Sequence, residues 1–155
     1  MDFAKPSIIR ISAAGDHMPL DHKGKHAAIL YPDFGIQFAV GAKGFKTSAD
    51  YDTTIKRATD LKHAGETGWI LAPHVQFQLL TIDFSKYGPA VDPDLYPDAV
   101  PYWHWTSHGC AWSFDDAGVP AALWQVHGNS GLLPSGYRNT EAFARPCRFV
   151  ARAGQ

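Results

Sequence analysis

The sequence predicts a single α+β domain, loop-rich, with two helices packed on short antiparallel sheets. Three observations carry this. Short β-branched or aromatic runs alternate with turn residues at both ends of the chain. One clearly capped helical pattern lies between them. The 155 residues include 14 glycines, 11 prolines and five tryptophans, a composition of loops and large rigid side chains, not of long helices.

In chain order, Ile8–Ile11 is a β-branched run, and Ala27–Tyr31 and Ile36–Val40 are two more. The last two flank Pro32-Asp33-Phe34-Gly35, whose proline, aspartate and glycine supply turn torsions, so the pair reads as a hairpin. Thr47-Ser48-Ala49-Asp50 has the capping-box pattern, and Tyr51, Ile55, Ala58 and Leu61 follow at helical spacing. Gly65 is placed to end that helix. A second helix is expected from Pro73, burying Val75, Leu79, Leu80, Ile82 and Phe84, although the alternation Val75, Phe77, Leu79 also fits a strand. Tyr87–Pro101, with four prolines and three aspartates, reads as a loop, its aspartates solvated. Trp103–Ser107, Cys110–Phe114, Ala122–His127 and Cys147–Ala151 read as strands, with Gly128-Asn129-Ser130-Gly131 as a hairpin turn. Residues 1–26 read as a leader strand and loop, and 27–155 as the domain proper.

Composition excludes several classes. Net charge is -1 with no basic run, which argues against nucleic acid and anionic membranes. No apolar stretch approaches a membrane span, and the N-terminus lacks a secretory signal, so a cytoplasmic or virion-associated setting is expected. Two cysteines, Cys110 and Cys147, exclude a disulfide-rich scaffold; one bond between them stays open.

The order of the pieces resembles the DUF1566 family, the C-terminal domain type of the Legionella collagen-like adhesin. Phe34-Gly35-Ile36-Gln37-Phe38 is similar to its opening strand, and Gly68-Trp69-Ile70-Leu71-Ala72-Pro73 to its Trp-Arg-Leu-Pro segment. Asp83-Phe84-Ser85-Lys86-Tyr87-Gly88-Pro89-Ala90-Val91-Asp92 is the most specific match. Trp103–Ser107, Ala122–His127 and Arg145–Val150 resemble the later strands. Ile70 stands where the family has arginine, and Ala58 where it has a cysteine that could partner the closing one. The resemblance implies a C-type-lectin-like fold, as in small phage members, and a binding role with the ligand surface on loops before the last strand. A homo-oligomer is compatible with it.

Those loops supply the candidate site. Trp105 and Trp124 are expected in the core, whereas Trp103 and Trp112 flank loops and can anchor a partner. The segment Leu132–Phe143 offers a rigid aromatic, a planar cation and adaptable polar groups. The expected ligand-binding set is Trp103, Trp112, His127, Tyr137, Arg138 and Asn139. His17, His22 and His26, and the pair His104 and His108, lack metal-ligand spacing, and neither metal nor cofactor is expected. Gly41–Thr47 lacks the ending of a phosphate loop, and Ser130 is in no nucleophile elbow. The expected function is therefore non-enzymatic binding of a protein partner, such as a phage-encoded factor blocking a host protein. A glycan- or receptor-binding module and a copper-dependent formylglycine-generating enzyme are the alternatives.

Overall fold

A computed structural model describes residues 5–22 and 24–152. It is a small α+β protein with two helices and two antiparallel sheets. The first sheet contains β1 (Ile9–Ile11), β2 (Ala28–Tyr31), β3 (Ile36–Ala39), β4 (Ile70–Leu71) and β8 (Pro146–Phe149), in the order β1-β2-β3-β8-β4. The second contains β5 (Trp103–Gly109), β6 (Ala122–His127) and β7 (Ser135–Tyr137). Thus the C-terminal strand inserts between β3 and β4, and the leader strand β1 is an edge of the same sheet. The β2–β3 hairpin forms as expected, with Gly35 at φ 61 in its turn.

Helix α1 (Tyr51–Asp60) begins three residues later than a capping box at Thr47 requires. Ala49 and Ala142 exchange backbone hydrogen bonds at 3.0 Å, which keeps the chain extended up to residue 49. Asp50 is therefore the cap itself, its Oδ1 accepting from the Thr53 N–H at 2.8 Å. That bond holds the Asp50 carboxyl below the usual range. Asp50→Ala is expected to lower the thermal midpoint by a few degrees at pH 7, and by less at a pH low enough to protonate the wild-type carboxylate. Gly65 does not end α1, which stops at Asp60. It sits at φ 71 where a Cβ would come 2.6 Å from the Ala14 carbonyl oxygen, so it permits the close approach of two loops.

Helix α2 (His74–Thr81) buries Phe77, Leu80 and Thr81 and leaves Val75 and Leu79 exposed, and Phe84, beyond its end, is exposed too; of the expected face only Leu80 and Ile82 are buried. Two helical stripes compete in this sequence. The one that wins meets the aromatic core, Phe77 standing edge-on to Phe38 at 6.2 Å. Cys110–Phe114 is no strand: β5 runs to Gly109, and a 3-10 turn follows at Ala111–Ser113. The Ser113 hydroxyl stabilises that turn, donating to the Cys110 carbonyl at 2.8 Å.

Trp105 is fully buried against Ala58, Leu71, Leu123, Ala142 and Ala144, and its indole N–H donates to the Ala49 carbonyl at 2.9 Å. Trp124 is only half-buried. It points to the other face of β6, where Ser135 stands opposite it. Among the described residues no helix is long and apolar enough to cross a membrane.

Candidate functional site

The six predicted binding residues fall into two groups along β6. At one end Trp103 pairs with His127 across the ladder, their rings 4.1 Å apart. At the other end Tyr137 pairs with Ala122. Ala122 and His127 are five residues apart on a regular strand, hence about 17 Å apart and on opposite faces. The set cannot act as one site.

The Tyr137 end is the more exposed. Trp112 (63% exposed) meets Tyr137 (60% exposed) edge-on at 6.5 Å. Phe114, also exposed, packs beside Gly109 and bridges to Pro120 in the same connection. Trp112 and Tyr137 thus form an exposed aromatic pair at one end of the second sheet, while Phe114 packs on the Gly109–Leu123 side of the same end. The Asp115 carboxylate fixes this connection by accepting from the Ala117 and Val119 N–H groups, both at 2.9 Å. Asn139 lies exposed in the turn closed by the Thr140 N–H on the Tyr137 carbonyl at 3.0 Å.

Arg138 is engaged within the fold. Its Nε donates to Asp52 Oδ1 at 2.9 Å, its Nη2 contacts the same oxygen, and its guanidinium lies 5.3 Å from the Tyr51 ring centre. It therefore clamps the start of α1 to the loop after β7. Comparison with known proteins finds no matching family model, curated protein or solved structure.

At the Trp103 end, His127 Nδ1 contacts the Ser130 hydroxyl at 3.1 Å. The other histidines are dispersed. His26 Nε2 meets the Leu95 carbonyl at 2.6 Å, and the His74 and His108 rings lie tilted against each other, 4.7 Å apart. His104 is buried against Phe77, and burial together with the nearby Arg145 charge holds its pKa at about 4. Among the described residues no group of three or more His, Cys, Asp or Glu could hold a metal ion. Cys110 and Cys147 are free and buried; burial raises both thiols, Cys147 to about 12. Reactive thiolates need the opposite setting, electropositive and partly open.

Asp98 is not one of three solvated loop aspartates. It forms a two-pronged ion pair with buried Arg145, Nη2 to Oδ1 at 3.0 Å and Nη1 to Oδ2 at 3.1 Å. Arg145 also donates to the Ala39 carbonyl at 2.7 Å and lies 4.6 Å from the Tyr96 ring centre. Above this pair opens a cleft of about 890 Å³ whose wall includes Arg10, His22, Lys25, His26, Lys46 and Asp94. Sequence reasoning missed Phe114, because a strand assignment hid its exposure. It missed Arg145 too, because a lone arginine carries no pattern.

Proposed function

We propose that this chain is a non-enzymatic binding protein that holds a protein partner on the aromatic patch formed by Trp112 and Tyr137. The observation that carries the reading is the edge-on Trp112–Tyr137 pair, both rings more than half exposed on a sheet end braced by Arg138 and Asp115. Exposed aromatics on a rigid support lose little conformational freedom on binding, and tryptophan, tyrosine and arginine dominate interface energetics. Asp116 and Asn139, both exposed, provide the polar rim. A C-type-lectin-like architecture of the DUF1566 kind is part of the proposal. The return of the C-terminal strand β8 onto the β2–β3 hairpin, with both helices in between, supports it.

Affinity capture from a host lysate tests the reading. A Trp112→Ala/Tyr137→Ala chain is expected to lose its partner at least tenfold, while Trp103→Ala retains it. The thermal midpoint should stay near that of the wild type, because both mutated rings are surface groups. Equal recovery by the double variant and the wild type contradicts the proposal.

A further inference from the structure

The outer face of the five-stranded sheet carries a second cleft, about 370 Å³, near the lower end of ligand-pocket sizes. One cross-strand row crosses its floor: Ile9 opposite Leu30, Leu30 opposite Gln37, and Gln37 opposite Arg148. The first two are apolar, and Pro32, Ala64 and Val150 extend that apolar wall. The last two are polar and stand at one end, beside Glu66.

That polar end is poorly satisfied. Gln37 is 4% exposed, a polar side chain on a strand whose other residues are buried and apolar. Arg148 Nη1 reaches Gln37 Oε1 only at 3.4 Å, and Nη2 reaches Glu66 Oε2 only at 3.3 Å. Charge-assisted bonds of this kind normally close to about 2.7–2.9 Å. Arg148 Nε is buried and has no hydrogen-bond partner among the described residues. A guanidinium with loose contacts, held at the end of an apolar trough, is a fitted acceptor site lacking its acceptor.

The geometry points to a binding site for a small carboxylate with an apolar body. The carboxylate takes the Nε/Nη2 edge of Arg148, replacing Glu66 on Nη2, while Gln37 stays beside Nη1. The apolar body lies along Leu30, Ile9 and Ile11. Glu66, whose side chain is 46% exposed, occupies that edge in the absence of ligand and swings out to solvent. This site is independent of the aromatic patch.

Hexanoate is the probe and hexan-1-ol its uncharged match, followed by NMR on the Gln37 side-chain amide and the Arg148 Nε–H. Hexanoate is expected to shift both resonances saturably, and hexan-1-ol to bind at least tenfold more weakly. Arg148→Met should weaken hexanoate tenfold or more. Glu66→Gln, a substitution at a partly exposed residue, removes the internal competitor and should tighten it several-fold. Equal binding of acid and alcohol, no saturable shift, or Glu66→Gln leaving hexanoate affinity unchanged overturns the assignment.

Discussion

Asp98→Ala is expected to destabilise the fold by about 3–5 kcal/mol, the cost of leaving a buried charge without its partner. Arg145 is only 7% exposed at its side chain and cannot lose its proton, so without Asp98 its charge stays in the interior with only the Ala39 carbonyl and the Tyr96 ring beside it. The reverse change costs less. Asp98 has a side chain 26% exposed and keeps the Gly41 N–H at 2.7 Å, so in Arg145→Met the carboxylate can turn to water. The double variant should be more stable than Asp98→Ala alone, since removing both charges removes the uncompensated one. Urea denaturation of the three variants measures the cycle. Burial pushes the Asp98 carboxyl up, but the Arg145 charge, its hydrogen bond and the Gly41 N–H outweigh this and leave it below the usual range. Its contribution is therefore present above about pH 4 and is lost as the pH falls through the lowered folded value.

Acid should weaken the protein earlier than that, through His104. Burial first, and then the Arg145 charge, hold this imidazole at about 4 in the folded chain, against about 6.5 when unfolded. Between those values the unfolded chain binds one more proton than the folded one, so stability rises with pH across this window. The full difference is about 3 kcal/mol, present above pH 6.5 and lost as the pH falls toward 4. Neutral His104 contacts the Tyr102 carbonyl through Nδ1 at 2.8 Å. A His104→Gln chain, which has an amide donor and no titrating group, should lose most of the slope between pH 6.5 and 4. Urea midpoints taken across that range decide it; an unchanged slope in the variant contradicts the assignment.

The sequence revealed what depends on neighbouring residues. The β2–β3 hairpin, β5 and β6 lie where period and turn chemistry place them, and α1 and α2 form within the expected segments, because those signals act over a few positions. What it misplaced depends on distant pairing. The cap moved to Asp50 because Ala142, over ninety residues away, holds Ala49 extended. The buried face of α2 follows from Phe38, and β7 forms only because β6 offers it a ladder. The candidate site was legible as residue types on the C-terminal loops. Its division into two opposite ends was not, since that follows from the β5–β6–β7 register. Asp98, Arg145, Gln37 and Arg148 carried no local pattern, and only the fold brings them together.

Hydroxyl-radical footprinting of the protein with and without its captured partner tests the central claim most directly, by reading oxidation at each exposed ring. Trp112 and Tyr137 should be protected in the complex, while Trp103, at the other end and on the opposite face of the second sheet, should oxidise as it does in the free chain. Protection of Trp103 with Trp112 and Tyr137 unchanged would place the partner at the other end of the sheet and contradict the account.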